Sequence, residues 1–271
     1  TYDVKHVLIL TYEIISMRIA FDVIGSRERA VAIVELKKGQ KPKAVAKEIM
    51  ERYPHVKAVL AKAGPREGVL RVYKLKLISG SKNTVITHKE HGLLFKMDPR
   101  LMYFSPREST ERQRIASMAK PNEHILVMFS GVGPFAIAIA KRQPTAEISC
   151  VEINKKAVDF ANENIRLNKT WNIKNYCADA HDAAKLGTFD RIIMPLPETA
   201  YKFLPAAFQA SKKGTVIHLY GISRQEKALD LVTKVNSAAK RANVKIRILG
   251  VSKVLPYAPR TWKMRLDVRI L

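Results

Sequence analysis

The chain has 271 residues, with 48 Lys and Arg against 24 Asp and Glu, a formal charge of +24 and a sequence pI near 10.1. A hydrophobic share of 47% supports a full core in one large or two modest domains. No run of eighteen apolar residues and no secretory pattern argue against a helical membrane protein, so a soluble, cytoplasmic chain is expected. The charge excess makes a field that attracts polyanions, and nucleic acid fits it better than a membrane because no basic helix carries a large apolar face.

Met17 to Ile24 alternates in hydrophobicity and Ala30 to Leu36 is β-rich, with a turn at Gly25-Ser26-Arg27. Pro42 opens a helix over 43–52, whose Val45, Ala46, Ile49 and Met50 recur at helical spacing. Strands are predicted at 55–61, 68–79, 83–88 and 93–97. Residues 1–100 thus form a smaller α+β domain suited to RNA binding. Pro99 and Ser105-Pro106 mark the junction to a second domain, 101–271. There a helix from Thr110 to Lys120 is followed by alternation: strand 124–130, helix 134–142, strand 147–152, helix 155–168, strands 173–177 and 189–194, helix 198–211, strand 214–221 and helix 224–240. Strands near 244–254 and 262–270 close the chain with no helix between them. This order predicts an α/β fold, a mixed seven-stranded sheet ending in an antiparallel hairpin.

The chemistry concentrates around Val127-Met-Phe-Ser-Gly-Val-Gly-Pro-Phe135. Gly131 and Gly133 stand between a strand and a helix, where the backbone can approach a ligand and the helix presents free N–H groups. Glu152 ends the next strand, about 20 residues on, and is placed to accept ribose hydroxyls. Asp179 ends the third strand and could meet an adenine amino group. This order is similar to that of a class I, Rossmann-like methyltransferase holding S-adenosylmethionine; a tight turn in any α/β protein is the plainer reading, with Ala136 in place of a third glycine. Cys150 and Cys177 both fall in strands predicted to be buried. No Cys/His cluster has ligand spacing, so no metal is expected. His88 and His124 read as structural.

Tyr103-Phe-Ser-Pro-Arg-Glu-Ser-Thr-Glu-Arg-Gln-Arg-Ile115 together with Phe129-Ser-Gly-Val-Gly-Pro-Phe135 resembles the archaeal and eukaryotic tRNA guanine-37 N1-methyltransferases. Thr87-His-Lys-Glu-His-Gly92 and Tyr257-Ala-Pro-Arg260 extend the likeness from about Met17 onward. The resemblance implies that Glu111 is the general base for guanine N1, its basicity raised by partial burial, and that Arg71 stabilises charge on guanine O6. It implies that Tyr103 and Arg107 line the base and phosphate side. Phe129, Gly131, Gly133, Pro134, Glu152, Asn154 and Asp179 would form the cofactor pocket, with S-adenosylhomocysteine as product. On the residues alone, Glu111 could instead be a helix-surface ion pair with Arg112 or Arg114, Arg71 a phosphate contact and Tyr103 a core ring.

Two departures stand inside these motifs: Val127 replaces an aspartate, and Pro195-Leu196-Pro197 replaces the Asn-Leu-Pro loop that contacts the base. Family members also carry a small N-terminal domain that reads the tRNA elbow, and residues 1–16 are too few to supply it. The implied partner is the anticodon stem-loop of tRNA, gripped by Lys and Arg, with the base flipped between the domains of a monomer. Rival readings are a wyosine-pathway paralogue acting on the same nucleotide and a catalytically silent RNA-binding protein. Pro134 argues against the aminocarboxypropyl-transferring branch, which has tyrosine there.

Overall fold

Short β-branched runs set the strands of the first half of the chain, and the computed structural model describes residues 20–68, 70, 72–224 and 229–271. β1 (Phe21–Gly25), β2 (Ala30–Val34), β3 (Val56–Glu67) and β4 (Val72–Gly80) form one sheet in that order. β2 and β3 are parallel, joined by α1 (Pro42–Arg52), while the other pairs are antiparallel. Pro42 starts α1 where a missing N–H costs nothing, and Val45, Ala46 and Ile49 are buried in the core of this sheet. A separate hairpin pairs β5 (Ile86–Glu90) with β6 (Leu93–Met97). Its two-residue turn has φ of +48° at His91 and +79° at Gly92, matching the twist of the strands.

Contacts divide the chain between Ser109 and Thr110, nine residues beyond the boundary drawn from sequence at 100. The intervening stretch packs with the first unit: Phe104 meets the rings of His88 and Phe95 at centroid distances of 5.1 and 5.9 Å, and Arg107 pairs with Asp22 of β1.

The second unit contains α2 (Ser109–Met118), β7 (His124–Met128), α3 (Pro134–Arg142), β8 (Glu147–Glu152), α4 (Lys155–Asn168), β9 (Ile173–Cys177), β10 (Phe189–Met194), α5 (Leu204–Gln209), β11 (Ser211–Arg224), α6 (Leu229–Arg241), β12 (Ile246–Ala258) and β13 (Thr261–Ile270). Its seven strands run in the order β12-β13-β11-β10-β7-β8-β9. All neighbours are parallel except β13, which is antiparallel to both β11 and β12. The α/β fold and the closing hairpin read from sequence are therefore present. The chain leaves β7 in one direction for β8 and β9 and returns to its other side with β10. That reversal is the switch point at which open α/β sheets bind ligands.

Two local readings are corrected. The helix drawn over 198–211 is a 3-10 turn at Ala200–Phe203 followed by the six-residue α5, because Pro205 has no N–H to continue an earlier helix and instead stands in the first turn of a new one. Cys177 is exposed, since β9 is an edge strand, whereas Cys150 on the interior β8 is buried. On one face of the sheet Ile217, Leu219, Met264, Leu266, Val268 and Ile270 join an apolar core with α5 and α6.

Candidate active site

The carboxyl ends of β10, β7, β8 and β9 lie side by side along one edge of the second unit, so residues just past each strand are neighbours. Phe129 follows β7 with φ of +55°, and Gly131 and Gly133 adopt φ of +56° and +83°. A side chain at Gly133 would be strained by that backbone, and its Cβ would stand 3.4 Å from Ile137 Cδ1. Pro134 then begins α3, whose N-terminus has no side-chain cap and no acidic residue in its first turn. The turn is held from α4 as well: buried Asn164 donates to the Val132 carbonyl at 3.1 Å.

Glu152 joins this turn to the next strand. Its carboxylate accepts from the backbone N–H of Gly131 at 2.9 Å and of Asn154 at 2.8 Å. Burial pushes its carboxyl above the ordinary value, against the lowering effect of those N–H bonds. Asn154 caps α4, its Oδ1 accepting from Lys156 and Ala157 N–H groups. Asp179, exposed beyond β9, accepts from the backbone N–H and ring Nδ1 of His181 at 2.9 and 2.8 Å, and the backbone bond chiefly holds it below the usual carboxylate range. Phe129 and His181 both pack against Phe203, at 4.8 and 4.2 Å. A side-chain-free glycine cradle, an uncapped helix start, two acids at strand ends and an aromatic wall fit a nucleoside cofactor.

Glu111 lies on α2 and is only 7% exposed. Arg114, one turn along, clasps it with Nε to Oε2 and Nη2 to Oε1, both at 2.8 Å. Tyr220 of β11 donates its hydroxyl to Oε1 at 2.5 Å, and Arg265 of β13 reaches both oxygens at 3.4–3.5 Å. Burial would raise this carboxyl, but the bonds from Arg114 and Tyr220 and the charges of Arg114 and Arg265 outweigh it and hold it below the ordinary value. The expectation that burial makes Glu111 more basic is therefore corrected. The ion pair with Arg114 exists, but it is buried rather than on a helix surface.

The other expected positions are more scattered. Tyr103, 38% exposed, donates to Glu108 Oε1 at 3.4 Å. Arg107 is engaged by Asp22 through Nε at 2.8 Å and Nη2 at 2.6 Å, rather than presented as a lone cation. Arg71 lies outside the described residues. Pro195 and Pro197 follow β10 on the same edge as the glycine turn, Pro195 half-buried and Pro197 buried. Val127 is buried in the interior strand β7. Among the described residues no His, Cys, Asp or Glu cluster could hold a metal ion.

Sequence reasoning missed Tyr220 and Arg265, the two long-range partners of Glu111. The available signal was β13 itself, where Lys263-Met-Arg-Leu-Asp-Val-Arg-Ile270 alternates charge with apolar side chains. Such a pattern ordinarily means a solvent-facing side. Here Lys263, Arg265 and Asp267 stand on the face that carries α2, and Lys263 is 2% exposed.

Residues 86–247 match the family described as the TRM5/TYW2 methyltransferase domain. Over 254 residues the chain is 35% identical to the tRNA (guanine(37)-N(1))-methyltransferase Trm5b of Pyrococcus abyssi, covering 93% of this chain and 74% of that protein. The crystal structure of that enzyme superposes with a TM-score of 0.81. A second relative is the tRNA(Phe) (4-demethylwyosine(37)-C(7)) aminocarboxypropyltransferase of Methanocaldococcus jannaschii, 29% identical and covering 91% of this chain and 98% of that protein. With its sheet order, glycine turn and strand-end acids, the chain belongs to the TRM5/TYW2 methyltransferase family.

Proposed function

We propose that the protein is a tRNA methyltransferase that places a methyl group on N1 of guanosine 37. The observation that carries this reading is Glu111: a buried carboxylate, kept deprotonated at neutral pH by Arg114, Tyr220 and Arg265, in the Thr110-Glu111-Arg112 motif. Methylation at N1 requires a proton acceptor there, because that nitrogen carries hydrogen in guanine. S-adenosylmethionine supplies an electrophilic methyl when bound.

We assign roles to the remaining residues from the surroundings of those described and, for Arg71, from the family resemblance alone. Glu152 has accepting capacity for ribose hydroxyls beyond the two N–H groups it already holds. Asp179, exposed and ionised, suits an adenine amino group. Phe129 offers an apolar face, and the first turn of α3 offers N–H groups. Arg71 takes the charge that develops on O6 as the proton leaves. A depressed carboxylate is a weak base, so proton transfer to Glu111 belongs with formation of the new bond at N1, when the acidity of that position rises steeply. The half-exposed Arg114 can be drawn off as the base arrives, while the deeper Arg265 and Tyr220 stay.

A second reading, methylation of the tricyclic wyosine precursor on the same nucleotide, is favoured by Pro195. Proline removes both a side-chain amide and a backbone donor at the position facing the base. The deciding experiment is labelled methyl transfer to an unmodified tRNA transcript with guanosine 37 and to the same transcript with adenosine there, followed by nucleoside analysis. N1-methylguanosine from the first alone supports the proposal. Cofactor binding without product from either, together with product from tRNA bearing the tricyclic base, overturns it in favour of the second reading.

A further inference from the structure

A continuous chain of hydrogen-bonded ionisable groups runs away from Glu111 across the sheet. Arg265 Nη1 contacts Glu111, and its Nε donates to Asp267 Oδ2 at 3.0 Å. Asp267 Oδ1 meets His218 Nδ1 at 2.7 Å, and His218 Nε2 meets Arg191 Nη1 at 2.8 Å. Arg191 closes the chain on Glu123 with Nε and Nη2, at 2.9 and 2.8 Å, and donates from Nη2 to the Met118 carbonyl at the end of α2. Register explains the alignment: His218 stands opposite Asp267, and Tyr220 opposite Arg265, on antiparallel β11 and β13.

The donors decide the protonation pattern. A guanidinium only donates, so His218 Nε2 must accept from Arg191. The proton of the imidazole therefore sits on Nδ1 and is given to Asp267, leaving His218 neutral. Its depressed basicity agrees: burial lowers it most, Asp267 works against that, and Arg191 and Arg114 lower it further. With His218 neutral, the carboxylates of Glu111, Asp267 and Glu123 balance the guanidiniums of Arg114, Arg265 and Arg191. Because arginine does not release its protons, the chain cannot conduct one; it can only hold groups in place.

We propose that Arg265 is the positioning residue for Glu111, and that Asp267, His218, Arg191 and Glu123 are the rigid anchor that keeps its guanidinium aimed at that carboxylate. Stability alone does not account for the chain. Buried ion pairs are commonly neutral or inferior to apolar packing of the same volume. The opposite face of β11 and β13 shows that these strands accept apolar side chains throughout. The proposal rests on the reading of Glu111 as the proton acceptor.

Groups facing Glu111 are Arg114 from α2, Tyr220 from β11 and Arg265 from β13, with Lys263 over the Tyr220 ring at 4.8 Å. The test follows the Glu111 carboxyl by carbon-13 NMR in RNA-free protein, its signal identified by loss in E111Q, alongside single-turnover methyl transfer to tRNA. In D267N the loss of a nearby negative charge, acting as a field alone, would move the Glu111 titration downward. Loosening of Arg265 would move it upward, by about one pH unit, with methyl transfer about tenfold slower. An upward movement in D267N, reproduced by R265K, is the result expected; a downward or unchanged titration overturns the proposal. Should D267N fail to fold, S252A carries the test in the same direction with smaller amplitude, since Ser252 is a neutral partner of Arg265 at 3.2 Å. If no tRNA is methylated by the unaltered protein, the functional reading fails while the titration still decides the positioning.

Discussion

The carboxylate of Glu152 accepts the backbone N–H of Gly131 at 2.9 Å, tying the end of β8 to the turn that leaves β7. One acid thereby shapes the glycine turn at the edge of the proposed cofactor pocket. Glu152→Ala should weaken cofactor binding by about 100-fold, as loss of hydrogen bonds to a charged acceptor commonly does. Titration calorimetry with S-adenosylhomocysteine measures the loss, and faster amide exchange at Gly131 should accompany it. Unchanged affinity would remove Glu152 from the pocket.

Acid should destabilise the second unit through Glu111 and Asp267, both held below the ordinary carboxylate values of 4.5 and 3.8. For Asp267 burial raises the carboxyl, but the His218 bond and the charges of Arg265 and Arg114 lower it more. Stability from such groups is present above the unfolded value and is lost as pH falls through the folded one. Glu152, whose carboxyl is raised, works in the opposite sense and favours the fold on the acid side. Glu111→Gln leaves the partly exposed Arg114 and the deeper Arg265 without their shared carboxylate and should cost about 2 kcal/mol at neutral pH. Urea melts at neutral pH and about pH 4 should show the gap to the unaltered protein narrowing in acid.

The two thiols should differ in reactivity. Burial pushes Cys150 up to about 12, whereas Cys177 is exposed on the edge strand. Iodoacetamide at mildly alkaline pH should label Cys177 in the folded protein and Cys150 only after denaturation. Peptide mass spectrometry reads this directly; early labelling of Cys150 would contradict the buried position of β8.

With a net charge of +24, binding to tRNA should fall by about 10³-fold or more between 50 and 200 mM salt if six or more phosphates are contacted. Filter binding across that range supplies the slope. A flat dependence would mean that the lysine and arginine excess does not grip the phosphate backbone.

Local chemistry made much of the molecule legible in its sequence. Gly131 and Gly133 between an apolar run and a small-residue helix, with acids at 152 and 179, announced strand ends that the fold brings to one edge of the sheet, because turns, caps and strand ends are written in neighbouring residues. The alternation of strands and helices carried the sheet type, and the missing last helix carried the hairpin. Tertiary structure alone decided what surrounds Glu111. Tyr220 and Arg265 lie 109 and 154 positions away, and only the pairing of β11 with β13 brings them to α2. That pairing also reversed the inference from burial: desolvation by itself would raise a carboxyl, but the cations gathered by the fold around Glu111 hold it down. An alternating charged strand looks the same in sequence whether its polar side meets water or a helix, because the period records the pleat and not what covers it.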